Sequence, residues 1–253
     1  IAAAGFDGVD TFLDEDTGKR ARLLDGLRSR GLVLVAQQYQ ADGADFGAFK
    51  RAYLHYLKLC AEGEPLLINS HTGRDYFSFS DNLELVDIAQ AFTERTGITV
   101  AHETHRGRFL YAPAVAAEYF GARRRLRITA DLSHWVVVSE SFLEGFPGPL
   151  SEAIRRADHI HARVGYEEGP QITDPRAPEW DYALHPFLRW WDAIVALRHE
   201  RGEKITTLTT EFGPVPYMHT LPFTAAPVAD LFEINCSLLQ MLQARYARYR
   251  EES

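Results

Sequence analysis

The chain has 253 residues, of which 46% are hydrophobic, and its 27 basic and 35 acidic side chains give a formal net charge of −8. This length is enough for one large α/β domain with a sizeable core. The acidic balance argues against a polyanionic partner such as DNA, because phosphate binding depends on Lys and Arg. The sequence has no run of about 18 apolar residues, so we expect neither a membrane span nor a membrane partner.

The cysteines and the first residues bear on the cellular setting and on the bounds of the fold. Cys60 and Cys236 lie far apart on predicted helices, and they indicate neither a disulfide framework nor a Cys-based zinc site. With no visible signal peptide, we expect a reducing, cytoplasmic setting. The chain opens with IAAAGFDGVD, which looks like the end of a helix followed by a strand. We therefore expect the first strand of the fold to be missing.

In chain order, short apolar or β-branched runs alternate with stretches of helical periodicity. The runs that predict strands are 8–13, 32–39, 65–71, 98–108, 126–135, 159–165 and 204–214. The stretches that predict helices are 46–60, 85–92, 187–195 and a long last helix over 226–250 with a frayed tail. Glycines that typically stop helices follow several of them, at Gly31, Gly63, Gly97 and Gly202. This alternation predicts βαβ units and a parallel sheet.

Two folds have such a sheet, a (β/α)8 TIM barrel and a doubly wound open sheet. The first strand-to-helix segment, GVDTFLDEDTGKR, has no Gly-rich phosphate loop of the kind that many doubly wound folds carry. Polar residues capable of chemistry recur instead at strand ends along the chain, which is typical of the barrel. We predict one α/β domain over residues 1–253, a TIM barrel whose first strand is absent from the N-terminus.

Four of these strand-end residues suggest a metal site: Glu103, Asp131, His161 and Glu211. Parallel strands of a barrel end at the same face, where these side chains would meet. Carboxylates that share a site repel one another, and a divalent cation relieves the repulsion. His159 lies on the same strand face as His161, and we choose His161 because it is nearer the strand end. For any one of the four taken alone, a helix N-cap or a salt bridge is an equally good explanation.

Five further residues are candidates for holding a substrate at that face. His134 and His71 could bind a hydroxyl group, and Arg106 and Arg163 could bind an anionic group through bidentate contacts. Trp135 could supply an apolar wall for a sugar ring. The alternatives are a satisfied or surface histidine and core packing of the tryptophan. A neighbouring arginine, Arg108, is better explained as a solvated surface residue.

The Pro-, Gly- and acid-rich segment 165–183 is the least regular part of the chain and follows a predicted strand. A loop there would lie over the predicted site. A plain surface loop and a lid or partner contact explain its composition equally well.

The motifs HETHRG, DLSH, HIH and EFG together resemble the xylose isomerase-like TIM barrel superfamily, the sugar phosphate isomerase/epimerase group. The resemblance covers essentially the whole chain, and GFDGVD looks like that family's junction between its first helix and second strand. It implies one divalent ion held by Glu103, Asp131, His161 and Glu211, with His134 in contact with substrate. The apurinic endonuclease branch is less similar, because it needs additional histidines and the strand ending in AQQYQ has none.

The resemblance implies a divalent-metal-dependent isomerase or epimerase of a sugar, sugar phosphate or cyclitol. The ion would be Mn²⁺, Mg²⁺, Co²⁺ or Zn²⁺ and would stabilise an enediolate while Glu103 and Glu211 transfer the proton. A dehydratase or lyase of the same superfamily, a non-catalytic sugar-binding barrel and a metal-dependent hydrolase are the alternatives. Expected partners are a small sugar-like substrate and further copies of the chain, without nucleic acid or membrane.

Overall fold

The computed structural model describes the backbone of residues 1–251 and the side chains of residues 1–249. Seven strands alternate with helices over this range. The strands are β1 (Gly8–Thr11), β2 (Val33–Gln38), β3 (Leu67–Ser70), β4 (Val100–Glu103), β5 (Ile128–Ala130), β6 (Ala157–His161) and β7 (Thr207–Thr209). The helices are α1 (Thr17–Arg28), α2 (Phe46–Ala61), α3 (Phe79–Thr96), α4 (Pro113–Ala122), α5 (Ser133–Ser139), α6 (Pro147–Arg156), α7 (Asp181–Glu200), α8 (Leu231–Arg245) and α9 (Ala247–Glu251).

The strands follow one another in the sheet in chain order, from β1 to β7. Strand β1 pairs with β2, β2 with β3, β3 with β4, β4 with β5, and β6 with β7, and all these pairs are parallel. A doubly wound sheet would reverse its strand order at one point, whereas an uninterrupted order is that of a TIM barrel. The predicted fold class is therefore confirmed, with seven strands in the described range instead of the eight of a complete barrel.

Contacts between backbone positions group the chain into two compact units. Unit 1 comprises Ile1–Tyr111 with Val115–Thr129, and unit 2 comprises Ala112–Ala114 with Ala130–Ser253. We describe each unit separately. The expectation of a single domain over the whole chain stays a prediction. None of the described helices is long and apolar enough to cross a membrane.

Helix α2 shows how sequence dictates structure in unit 1. The Asp45 side chain caps its first turn by accepting a hydrogen bond of 2.7 Å from the Ala48 amide. Its apolar residues Phe49, Tyr53, Leu57 and Cys60 are buried, Tyr53 and Leu57 completely so, and Phe46 and Tyr56 are partly buried beside them. These side chains belong to a core cluster that also includes residues of β2, β3, α3 and β4. The predicted helix over 46–60 is thus confirmed to within one residue.

The glycines that follow helices do not all do so for the same reason. Gly31, Gly97 and Gly202 have φ of 64°, 75° and 74°, the left-handed conformation expected of a helix stop. After α2, however, the left-handed residue is Glu64, with φ of 50°, and Gly63 is not. A Cβ on Gly63 would lie 2.7 Å from Cδ2 of Leu34. This glycine is therefore explained by close packing against β2, which corrects its predicted role.

Several predicted boundaries differ from the structure. The predicted strands 159–165 and 204–214 are β6 (Ala157–His161) and β7 (Thr207–Thr209), and the predicted helix 187–195 is α7 (Asp181–Glu200). Two further boundaries also differ. The run over 126–135 is a strand only to Ala130, because α5 begins at Ser133, so His134 lies on a helix. The last helix begins at Leu231 instead of 226, because Asp230 caps it through the Glu233 amide at 2.9 Å. A short bridge between Thr220 and Pro227 occupies the chain just before. Part of the predicted frayed tail, residues 252–253, lies outside the described residues.

The two cysteines should differ sharply in reactivity. Cys60 is 1% exposed, and burial raises the pKa of its thiol to about 12, so almost no thiolate exists at pH 8. Cys236 on α8 is only partly buried. We expect Ellman's reagent to titrate one thiol of the native chain quickly and the second only in denaturant. The fast thiol should vanish in Cys236→Ser and persist in Cys60→Ala; equal rates for both thiols contradict the described packing.

Candidate metal centre

Three of the four predicted ligands meet in unit 2. Asp131 directly follows β5, His161 is the last residue of β6, and Glu211 lies two residues beyond β7. Each offers one ligand atom, and these atoms lie within 4.8 Å of one another. The strands are parallel, so residues at their carboxyl ends come to the same edge of the sheet. Asp131, His161 and Glu211 are called the unit 2 triad below.

The two oxygens of Asp131 have different roles. Its Oδ1 accepts hydrogen bonds from the backbone amide and the hydroxyl of Ser133, at 3.1 and 2.5 Å. This contact lies just before α5, whose N-cap residue is Leu132 and has no side-chain capping bond, so Asp131 is not the N-cap of that helix. The other oxygen, Oδ2, lies 3.1 Å from Nε of Arg163 and 3.5 Å from Nε2 of His134. Asp131 is fully buried, and Ser133 fixes the orientation in which Oδ2 is presented.

The two histidines of β6 are distinguished by their partners on β7. Nδ1 of His159 lies 2.7 Å from the hydroxyl of Thr207, and its Nε2 lies 3.1 Å from the hydroxyl of Thr209. Both ring nitrogens of His159 are thus engaged by threonines. Nδ1 of His161 instead lies 2.6 Å from Oε2 of Glu211. These contacts support His161 over His159 as the ligand, which agrees with the choice made from the sequence.

The side chain of Glu211 is mostly buried, but part of it is exposed to solvent. Burial is the main effect that raises the pKa of its carboxyl group, and the negative charge of Asp131 adds to it. The positive charge of Arg163 and the ring of His161 act in the opposite direction. The side chain is nevertheless 22% exposed, whereas that of Asp131 is completely buried. Glu211 is therefore the triad carboxylate that a ligand could reach.

Arg163 contacts both carboxylates of the triad. Its Nε donates to Oδ2 of Asp131 and its Nη2 donates to Oε1 of Glu211. The ring of Tyr217 lies against the guanidinium, with its centroid 4.2 Å from Cζ. Tyr217 was not found from the sequence, because nothing in its pattern marks one tyrosine in a Pro-rich loop. Ser133, Thr207 and Thr209 were also not found, because hydroxyl side chains at these positions form no recognisable motif.

The irregular segment 165–183 is anchored within unit 2. Gln171, which is 2% exposed, donates through Nε2 to the carbonyl of Gly213 at 3.1 Å and accepts from the Gly213 amide at 2.8 Å. Nε1 of Trp180 donates to the hydroxyl of Thr173 at 2.7 Å. Gly213 lies two residues after Glu211, so this side chain holds the backbone next to the triad. The question of a surface loop or a lid stays open at the tip of the segment.

Glu103 lies at the end of β4 in unit 1 and is 1% exposed. Its Oε2 accepts a hydrogen bond from Nδ2 of Asn69 at 2.7 Å and lies 2.8 Å from Nε2 of His71. The ring of His71 lies 4.6 Å from that of His105, and both histidines could share a ligand site with Glu103. Glu103 is thus oriented by two neighbours on β3 and just after it. Its role as the fourth ligand stays a prediction.

The remaining predicted substrate residues differ in exposure. Arg106 is exposed in unit 1. Trp135 is fully buried on α5, which favours core packing over contact with a sugar. His134 is also fully buried, but it lies next to Oδ2 of Asp131. Of these three, only His134 is placed by the structure beside a member of the triad.

Comparisons with known proteins agree with the fold. No protein-family model matches the chain, and no curated protein gives a significant match. A xylose isomerase-like TIM barrel protein from Mycobacterium smegmatis in complex with magnesium is 14% identical, with a TM-score of 0.58 over 96% of this chain and 85% of that chain. D-psicose 3-epimerase from Clostridium cellulolyticum H10 with D-tagatose is 15% identical, with a TM-score of 0.58 over 97% and 90%.

A third solved structure has another activity. The probable 3-DHS dehydratase AsbF from Bacillus anthracis is 16% identical, with a TM-score of 0.56 over 96% of this chain and 90% of that chain. The chain therefore has the xylose isomerase-like TIM barrel fold, and the resemblance found in the sequence motifs is confirmed at the level of the fold. Because proteins with this fold include an epimerase and a probable dehydratase, the fold does not decide the reaction.

Removing the Gln171 side chain tests the anchor beside Glu211. Gln171→Ala leaves the partly buried amide and carbonyl of Gly213 without these partners, which should lower the free energy of unfolding by about 2 kcal/mol. Gln240 is exposed on α8, and Gln240→Ala should change the same quantity by less than about 0.5 kcal/mol. Urea denaturation followed by circular dichroism measures both, and equal effects of the two variants refute the anchoring role.

Proposed function

We propose that the chain is a divalent-metal-dependent isomerase or epimerase of a sugar, sugar phosphate or cyclitol. The observation that carries the proposal is the unit 2 triad, whose ligand atoms lie within 4.8 Å of one another at the carboxyl ends of parallel strands. The structural similarity to a barrel in complex with magnesium and to an epimerase with D-tagatose supports it. At least one solved structure with this fold, the epimerase, is thus an enzyme.

The residues of the triad fit a divalent cation. Two carboxylates and one imidazole, with no cysteine, are ligands that suit Mg²⁺, Mn²⁺, Co²⁺ or Zn²⁺ in a catalytic site. Ser133 fixes Asp131, and His161 and Glu211 approach each other to 2.6 Å. An ion held there would supply Lewis acidity for a carbonyl and a neighbouring hydroxyl of the substrate. Glu103 is proposed as the fourth ligand.

Glu211 is proposed to transfer the proton next to the carbonyl. Its raised pKa brings the carboxyl group closer to the pH at which a general acid or base works best, and its partial exposure lets it contact a substrate. Glu103, oriented by Asn69 and His71, is proposed as the second proton-transfer group. One group would remove the proton. The other would return it to the opposite face for epimerisation or to the next carbon for isomerisation.

Substrate contacts are proposed for His134, His71 and Arg163. His134 and His71 lie beside carboxylates proposed as ligands, where an imidazole can bind a hydroxyl group. Arg163 is the proposed partner of an anionic group. Arg106 and Trp135 stay in the set as predictions, although exposure of the first and burial of the second do not favour them.

A metal-dependent dehydratase or lyase is the second candidate, and the similarity to the probable 3-DHS dehydratase favours it. The same proton removal would then be followed by loss of a neighbouring hydroxyl group as water. A non-catalytic sugar-binding barrel is less well supported, because a protein without chemistry has no need of the closely placed carboxylates of the triad. An apurinic endonuclease would need a cluster of three zinc ions.

The metal content of the purified chain tests the site directly. We expect about one divalent ion per chain by elemental analysis after incubation with Mn²⁺, and loss of that ion in Asp131→Asn, because a neutral amide binds cations weakly. Asp192→Asn is the matched control, since Asp192 pairs with Arg245 in a partly exposed salt bridge. Close to three zinc ions points to the endonuclease branch. No metal in the wild type removes the proposal.

Replacing Glu211 tests the proposed reaction. Glu211→Gln is expected to reduce turnover at least about 100-fold, because an amide cannot carry the proton. Glu200→Gln at the exposed end of α7 is the matched control and should behave like the wild type. Uptake of solvent deuterium into ketoses and cyclitols, followed by mass spectrometry, measures turnover. Deuterium uptake with an isomeric product indicates isomerisation or epimerisation, water loss indicates a dehydratase, and a fully active variant excludes Glu211.

A further inference from the structure

Arg163 holds the oxygen atoms that a metal ion would need. Ser133 donates two hydrogen bonds to Oδ1 of Asp131, so a cation bound by this carboxylate would take Oδ2. Arg163 donates to this oxygen from Nε at 3.1 Å, and it donates to Oε1 of Glu211 from Nη2. One guanidinium therefore contacts both carboxylates of the triad. It does so with a side chain that is itself only 3% exposed.

Such a guanidinium competes with a metal ion for the same carboxylates. A buried arginine satisfies two carboxylates by charge and by hydrogen bonding, which are the same needs that a divalent cation would satisfy. When a metal ion takes Oδ2 of Asp131, the two positive charges lie close together and repel each other. The contacts of Arg163 with Asp131 and Glu211 must then weaken. Its donors become available to another negatively charged group.

The surroundings of Arg163 allow it to exchange partners without leaving the site. The ring of Tyr217 packs against the guanidinium at 4.2 Å, a contact that depends on the face of the group and not on its edge donors. A Cβ on Gly213 would lie 3.7 Å from Nη1 of Arg163, an ordinary van der Waals distance, so the backbone beside the guanidinium does not crowd it. The loop that carries Tyr217 is held at Gly213 by Gln171. The guanidinium can thus change its edge contacts while Tyr217 holds its face.

We propose that Arg163 competes with the metal ion for the carboxylates of Asp131 and Glu211. Once the ion binds, the guanidinium of Arg163 pairs instead with an anionic group of the substrate. The proposal rests on the proposed metal site and adds to it the substrate class, a molecule with a carboxylate or a phosphate. Its consequence is coupling: an anion that takes Arg163 away from Asp131 and Glu211 must tighten metal binding, and the metal must tighten anion binding by the same factor. Arg163 acts here as a residue that sets affinity and specificity.

The first test measures Mn²⁺ affinity by electron paramagnetic resonance, which requires no substrate and no turnover. Arg163→Gln removes the competitor and should tighten Mn²⁺ binding about tenfold or more, the effect expected from losing hydrogen bonds to charged groups. Arg163→Lys keeps the charge but reaches one carboxylate at a time, so its Mn²⁺ affinity should lie between that of Arg163→Gln and that of the wild type. Arg176→Gln, at an exposed pair with Asp174, is the matched control and should leave the affinity unchanged.

The second test adds an anion to the same titration. Inorganic phosphate or acetate should tighten Mn²⁺ binding by the wild type several-fold, after correction for direct complexes between Mn²⁺ and the anion, and should have no effect on Arg163→Gln. An effect of phosphate alone identifies a phosphate-bearing substrate, and an effect of acetate alone identifies a carboxylate.

Three results overturn the proposal. The first is unchanged or weaker Mn²⁺ binding in Arg163→Gln and Arg163→Lys while the wild type binds the ion, which leaves the proposed function standing. The second is an equal effect of the anions on the wild type and on Arg163→Gln. The third is an absence of Mn²⁺ binding in the wild type and both variants, which removes the proposed function as well and makes Arg163 a permanent ion-pair partner. Circular dichroism confirms that each variant is folded.

Discussion

The cost of burying carboxylates is the constraint on which the candidate site depends. Asp131 is completely buried and Glu211 mostly so, and two negative charges this close repel each other in a medium that screens them poorly. Arg163 offsets this repulsion by donating hydrogen bonds to both carboxylates, and Ser133 donates to the remaining oxygen of Asp131. Every other feature of the triad, including the raised pKa of Glu211, follows from this balance of charge and burial.

The fold creates that cost by placing residues from separate strands at one edge of the sheet. Strands β6 and β7 are parallel neighbours, so His161 and the segment leading to Glu211 leave the sheet side by side. The same register places Thr207 and Thr209 beside His159, which occupies that histidine and leaves His161 for the site. In unit 1, β3 and β4 bring Asn69 to Glu103 in the same way. Strand pairing thus selects which polar side chains become available for chemistry.

The solved structures with this fold place the site in a chemical context without deciding its reaction. An epimerase and a probable dehydratase share the fold with this chain at 15% and 16% identity. Both outcomes can begin with removal of a proton next to a carbonyl, a step for which a carboxylate such as Glu211 is suited. What distinguishes them is the fate of the neighbouring hydroxyl group. That fate depends on how the substrate is held, and Arg163, whose guanidinium packs against the ring of Tyr217, is the side chain that we propose to contact its anionic group.

The sequence by itself determined the alternation of strands and helices, the parallel sheet and the placing of Asp131, His161 and Glu211 near strand ends, because these depend on periodicity and on position along the chain. It did not determine that α5 begins at Ser133, since a hydrophobic run can continue a strand or start a helix and the sequence pattern does not distinguish the two. It also assigned Arg163 to the substrate alone. The contacts of Arg163 with two carboxylates and Tyr217 come from residues up to 54 positions away, and only tertiary structure brings such distant positions within hydrogen-bonding distance.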